Sequence, residues 1–341
     1  MGCLVRFIWG VVIGSICSLQ LAHAASFNSD FSKTTEKVRS SLIHAPEASE
    51  IYLNYWIDVY NAHADDYDRP QITLKSSNLE IKDTPVELPS SDNLWKPNGY
   101  PIVSPDWGQR VPVSFAKPSD FRPPAPPNKT DGTFEADIEE VFQLGEKYGE
   151  YRDADLSVAA AFWADGLGTV TPPGRWNLIA LQETQHLPEF ERIQILTALN
   201  IALYDAGIAA WDSKYYYKYW RPTTAISAQY PEHIDWEPML APPFHPEYVS
   251  GHSTFSGAAA TILSTFLGDR CFCVSSEELL GLERCFSSFY AAADEAGRSR
   301  IYGGIHFEFS NQAGLELGKK VADQVLIAYP KHFSKIRSQA K

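Results

Sequence analysis

The chain is short of positive charge, of cysteine and, past its first residues, of long apolar runs, and each shortage excludes something. Lys and Arg number 29 against 42 Asp and Glu, a formal net charge of −13 over 341 residues. Such a chain is a poor partner for nucleic acid or an anionic membrane surface. Any cluster of Arg and Lys inside it therefore stands out. Of the five cysteines, Cys3 and Cys17 lie in the N-terminal leader, which leaves Cys271, Cys273 and Cys285. Three cysteines with no fourth ligand nearby make a weak zinc set. In an oxidising compartment they predict one disulfide, from Cys285 to Cys271 or Cys273, and one odd thiol. No segment after the leader reaches the ~20 apolar residues of a spanning helix.

What is present is an ordinary globular composition, 44% hydrophobic and 21% charged, long enough for one large domain or two modest ones. The first residues read as a signal peptide over residues 1–24. Arg6 leads an apolar stretch from Phe7 to about Leu21, and Ala22-His23-Ala24 fits a cleavage site. The expected location is secreted or periplasmic, with the mature chain starting at Ala25. Residues 25–132 are expected to be an irregular, proline-rich segment packing on the core. It holds one helix from about Pro46 to Ala64, and FRPPAPPNKTDG (Phe121 to Gly132) forms an extended crossover. Residues 133–341 show apolar residues at helical spacing over Phe134–Lys147, Asp155–Trp163, Arg175–His186, Phe190–Lys214, Ser253–Leu267, Ser275–Ala296 and Gln312–Tyr329. No β-type alternation of similar length and no internal repeat is visible. The predicted fold is mostly α, a bundle of six or more helices with an irregular Pro-rich N-terminal segment.

Three segments of the helical part gather unusual polar groups. In AWDSKYYYKYWRPTTA, Lys214 and Arg221 are seven residues apart. On one helix that is about two turns, with an offset of roughly 20°, and Pro222 would end the helix just after Arg221. Two cations on one face repel unless an anion sits between them. In HPEYVSGHSTFSGAAATIL, Ser250, Gly251 and His252 precede an apolar run. Ser250 and His252 suit a nucleophile and its base, or two walls of an anion cradle at a helix start. Ser250 alone suits an N-cap. In AGRSRIYGGIHFEFSNQAG, Arg300 and His306 flank Gly303-Gly304, a break that lets both converge. Together these residues supply three cations, neutral donors from Ser250 and the Gly251 amide, and two imidazoles. The set suits a tetrahedral or trigonal oxyanion.

These three segments resemble the signature of the vanadium-dependent haloperoxidase and type 2 phosphatidic acid phosphatase superfamily, K-x6-R-P, P-S-G-H and S-R-x5-H. Here they read KYYYKYWRP, VSGH and SRIYGGIH, in order. The direct match runs from about Asp205 to Gly314. FWADGLGTVTPPGRWNLIA, Phe162 to Ala180, is similar to the preceding segment of the haloperoxidase branch. The resemblance implies that Lys214, Arg221, Ser250, Gly251 and Arg300 hold the oxygens of vanadate. His306 would bond vanadium, and His252 would shuttle protons. Hydrogen peroxide, a halide and a small organic acceptor would be the partners. Trp211 and His245 fall at positions that line the halide pocket, and His245 favours bromide or iodide over chloride.

Two departures stand out. Val249 replaces the usual proline, and Ser310 replaces the acid that supports the last histidine in the phosphatase branch. That support is then expected from Glu308, Asp205 or a backbone carbonyl. Two rivals follow from the same residues. One is a secreted acid phosphatase in which His306 becomes a phospho-histidine. The other is a non-catalytic oxyanion-binding protein, which would not need both histidines.

Overall fold

The computed structural model describes residues 29–40, 45–74, 94–97 and 102–333. The expected leader and cleavage site lie outside the described residues. Ten helices are described: α1 (29–40), α2 (Ala45–Ala64), α3 (Gly132–Gly145), α4 (Ala154–Phe162), α5 (Thr171–Thr184), α6 (Glu189–Tyr217), α7 (Pro222–Gln229), α8 (Gly251–Leu267), α9 (Phe289–Tyr302) and α10 (Glu308–Ala328). The fold is mostly α, as the sequence predicts. Helices α2, α5, α8 and α10 pack around α6. Asp131, Asp153 and Ser288 cap α3, α4 and α9 with their side chains, taking up amides that a helix start leaves free.

Helix α6 is the central rod, buried on all sides over most of its length. By length and composition it is the described helix that could cross a membrane, contrary to the expectation that no later segment would reach that hydropathy. Its apolar window is 100% buried inside the protein, as befits the middle of a bundle. The N-terminal segment is tied to it. Asp205, at 0% exposure, accepts from the Val113 and Ser114 amides at 2.7 and 2.8 Å and from the Ser114 hydroxyl at 2.6 Å. Trp56 of α2 donates to Asn177 of α5 at 3.0 Å.

Three sequence expectations change. First, α6 does not run on to Pro222. It stops at Tyr217, where Lys218 adopts the left-handed region (φ 49°) and donates its amide to the Lys214 carbonyl. Lys214 and Arg221 are therefore not neighbours on one helix face. A corner separates them, Arg221 is extended, and Pro222 opens α7 as its first residue. Secondly, Ser275–Ala296 is not one helix. Its first half belongs to a hairpin, β1 (Phe272–Ser275) paired antiparallel with β2 (Glu283–Phe286). Residues 279–282 turn the chain, with Gly281 at φ +82°, and Leu280 of the misread stretch is 90% exposed. The predicted disulfide joins Cys273 to Cys285, directly opposite each other in this hairpin, and Cys271 is the free, exposed thiol. Thirdly, α1 adds a helix to the segment expected to hold one.

Helices α8 and α10 approach closely because small residues face each other. A Cβ at Gly318 would stand 2.1 Å from the Thr254 carbonyl oxygen, and one at Gly257 2.4 Å from that of Leu315. This contact fixes the start of α8, where Ser250 is the N-cap and receives the Ser253 amide.

Candidate functional site

The corner after α6, the loop before α8, the N-terminus of α8 and the end of α9 meet around one cavity of about 400 Å³. Its lining includes Gly251, His252, Arg300 and His306, with Trp211 and His245 at one side. Lys214, Arg221 and Ser250 stand behind this lining. They are 0%, 3% and 0% exposed, and Arg300 is 5% exposed.

Such burial of three cations in one region is electrostatically costly. Burial above all, together with repulsion from Arg221, pushes the Lys214 ammonium well below its usual range, against the pull of Glu247. Burial lowers Arg221 to about 10, Glu247 opposing and Arg300 adding to the fall. Arg300 is likewise lowered to about 10 by burial, against Asp165 and Glu278. The Lys214 ammonium donates to the carbonyls of Pro246, Glu247 and Val249. It thus holds the loop that delivers Ser250 and His252. Arg221 donates to the Ile305 carbonyl at 2.7 Å and to His306 Nε2 at 3.1 Å.

His306 is 2% exposed, and burial followed by the fields of Arg221, Lys214 and Arg300 holds it well below its usual pKa. The ring is therefore neutral. Its Nδ1 donates to Glu247 Oε1 at 2.7 Å, and its Nε2 accepts from the Arg221 guanidinium. Glu247 also accepts from the Phe307 amide at 3.1 Å. Burial raises its carboxyl to about 7 against Arg221 and Lys214.

Glu247 is the residue that sequence reasoning missed. The support expected from Glu308 or Asp205 does not come from them. Glu308 is occupied with Arg298 and Asn311, and Asp205 holds the Val113–Ser114 turn. The Ser310 hydroxyl lies beside the same Glu247 carboxylate. The acid has thus moved from α10 to the loop before α8. The only sequence signal was an acidic residue three positions before Ser250.

His252 sits in the first turn of α8. Burial and Arg300 lower its pKa well below the usual value, opposed by the Trp163 and Ala164 carbonyls. Its Nε2 is buried with no partner among the described residues, and so is Arg300 Nε. The Trp211 and His245 rings are tilted by 50° with centroids 5.0 Å apart, and the Lys214 ammonium lies 5.7 Å from the Trp211 ring centre. A Cβ at Gly251 would meet the Trp211 ring at ordinary contact distance, 3.6 Å or more.

This donor set fits an oxyanion: buried cations whose direct partners are mostly carbonyls, an unpartnered Arg300 Nε, a helix N-terminus, and a neutral imidazole whose Nε2 lies beside Arg221. It lacks a cluster of His, Cys, Asp and Glu of the kind that holds a bare metal cation, among the described residues. Residues 194–335, from α6 through α10, match the family model of the second helical-bundle domain of VCPO. A vanadium chloroperoxidase from Curvularia inaequalis is 27% identical over 135 residues, 32% of this chain and 22% of that one. A bacterial vanadium-dependent iodoperoxidase crystal structure superposes with a TM-score of 0.64 at 31% identity, covering 71% of this chain and 62% of that one. An apo bacterial vanadium-dependent chloroperoxidase gives a TM-score of 0.60 at 17% identity, over 72% and 64%, and likens the fold alone. Over residues 194–335 the chain matches the vanadium haloperoxidases in sequence, and more widely in fold. It spans less than two thirds of the length of each of these relatives.

Proposed function

We propose that the chain is a vanadate-dependent haloperoxidase that oxidises a halide, bromide or iodide, with hydrogen peroxide. One observation carries the reading: a neutral His306, fixed through Nδ1 by Glu247, presents Nε2, where Arg221 donates, to a centre of three buried cations. Arg221, Arg300 and the Gly251 amide would hold the anion's oxygens, with the Ser250 hydroxyl beside them. Lys214 supplies positive charge while its hydrogens brace the 246–249 loop. His306 Nε2 would hold the central atom. Bound vanadate supplies a Lewis acid that activates peroxide without changing its own oxidation state. His252, neutral and unpartnered at Nε2, would take and return the proton of incoming peroxide. Trp211 and His245 would flank the halide. His245 and the likeness to an iodoperoxidase support the heavier halides. The Cys273–Cys285 bridge supports an oxidising compartment, secreted or periplasmic.

The test is a paired assay on protein starting at Ala25. One sample is loaded with orthovanadate, freed of excess, and followed for peroxide-dependent oxidation of iodide and bromide. The other, free of vanadate and phosphate, is offered p-nitrophenyl phosphate. Vanadate-dependent halide oxidation that phosphate blocks supports the reading. Ester hydrolysis without halide oxidation would assign the same residues to a phosphatase. In the first assay His306→Ala should lose vanadate retention. His252→Ala should keep vanadate yet lose most turnover, about 10²-fold or more.

A further inference from the structure

The β1–β2 hairpin does not line the cavity, yet its contacts converge on the segment that does. Its inner face is apolar: Phe272, Val274 and Phe286 are buried. Its outer face carries the Cys273–Cys285 bridge, with Cys285 exposed and Cys273 half-buried. The tip reaches the loop after α4. Ser276 donates to the Phe162 carbonyl at 2.7 Å. Glu278 accepts from the Gly166 amide at 3.1 Å, and Glu277 from the Val170 amide at 3.0 Å and from Arg39 of α1. Buried Arg175 of α5 ties the base of the tip, donating to the Ser275 carbonyl and the Ser276 hydroxyl. The strands grip the same loop at Trp163. The Phe286 and Trp163 ring centroids are 5.9 Å apart, and Arg284 anchors Glu295, which accepts from Trp163 Nε1 at 3.0 Å. The Trp163 carbonyl accepts from Arg300 at 3.0 Å, and together with that of Ala164 it faces His252. A chain of contacts thus runs from the bridge to two residues of the oxyanion centre.

We propose that this hairpin is a redox-sensitive latch: with the bridge closed its tip holds the 162–170 loop against the centre, and a dithiol releases it. Two strands of four residues make a ribbon that is marginal on its own, so the bridge keeps them paired. Exposed disulfides are the readily reduced ones. A thiolate of the dithiol attacks the exposed Cys285 sulfur, the S–S bond breaks, and Cys273 leaves as a thiolate that takes up a proton. The second thiol, as its thiolate, attacks the mixed disulfide and frees Cys285, which is protonated in turn. The dithiol ends as a cyclic disulfide, and the cysteine pair gains two electrons and two protons. With its strands unlinked, the tip lets go of the Gly166 and Val170 amides. The latch stands on the geometry alone. That its opening slows halide oxidation, through His252 and Arg300, rests on the function proposed above.

Hydrogen exchange read by mass spectrometry tests the latch on the full chain without vanadate, before and after dithiothreitol. Reduction should speed exchange at the Gly166 and Val170 amides about tenfold, the protection that one hydrogen bond supplies, while the amides of α6 stay protected. Cys271→Ser, which removes the free thiol, should respond as wild type does. Cys273→Ser combined with Cys285→Ser should show the faster exchange from the start and ignore the dithiol. Equal exchange in oxidised and reduced wild type, with two further thiols alkylated after reduction, overturns the latch. Lost protection in α6 on reduction also overturns it, since the bridge would then support the whole fold. Loaded with vanadate, the double variant should oxidise halide about tenfold or more slower than Cys271→Ser at equal vanadate content. Equal rates with the exchange difference intact overturn the link to the centre. No halide oxidation by either protein, with the exchange difference intact, would strike the function and leave the latch standing.

Discussion

Glu247 carries the most consequence for a single residue. It holds the Nδ1 proton of His306 and so decides which nitrogen faces the cavity. In Glu247→Gln the neutral amide replaces a carboxylate, and His306 becomes a weaker base. Vanadate affinity, measured by equilibrium dialysis, should fall about 10- to 100-fold, with the far-ultraviolet circular dichroism unchanged. Wild-type affinity would remove Glu247 from the site. Seven residues that meet at the cavity were legible in the sequence because their spacing forms three linked motifs. Glu247 was not, since an acid in a loop carries no periodicity and its partner lies 59 positions away. Trp211 and His245 were named by position, and their ring contact needed the fold.

At the scale of elements, the α8–α10 contact positions the site. Gly318→Ala would drive a methyl against the backbone of Thr254, which cannot rotate away. The helices must separate, at a cost of about 3 kcal/mol, read as a lower midpoint in urea. Equal stability of variant and wild type would show that the contact yields. Helix α3 is joined to the start of α10 through Asp137, which accepts from the Phe309 amide at 2.6 Å. Burial raises this carboxyl from 3.8 to about 6, the Phe309 amide opposing, with Glu140 and Glu308 adding to the rise. Folding therefore takes up a proton between those values, and stability falls as pH rises from about 4 to about 6. Asp137→Asn should match wild type near pH 4 and exceed it by about 1 kcal/mol above pH 6, after allowance for screening at a half-buried site. A pH-independent difference in melting temperature would contradict this. The long helices were legible because their apolar positions recur at helical spacing. The Cys273–Cys285 hairpin was not: its strands are four residues each, too short for alternation to outweigh a helical pattern. The corner at Lys218 was hidden for another reason, since lysine is an ordinary helix former that here adopts a left-handed backbone.

For the whole molecule, charge sets the approach of anions. The surface of a chain with net charge −13 repels them at long range, while the buried cations attract them only near the cavity. Screening weakens the distant repulsion more than the local attraction. The association rate of orthovanadate, followed by stopped-flow fluorescence, should therefore rise about two- to fivefold as sodium acetate increases from 10 to 150 mM. A falling rate would mean that the local field already dominates at the surface. The overall class was legible from composition and helical spacing. The attachment of the N-terminal segment through Asp205 was not, because it joins positions about ninety residues apart. The corner between α6 and α7 has a further implication for anyone wishing to transplant this centre. A straight helix bearing lysine and arginine seven residues apart would copy the spelling of the motif and miss its shape. The smallest portable unit comprises the end of one helix, a left-handed residue, and the separate loop whose carbonyls the lysine gathers.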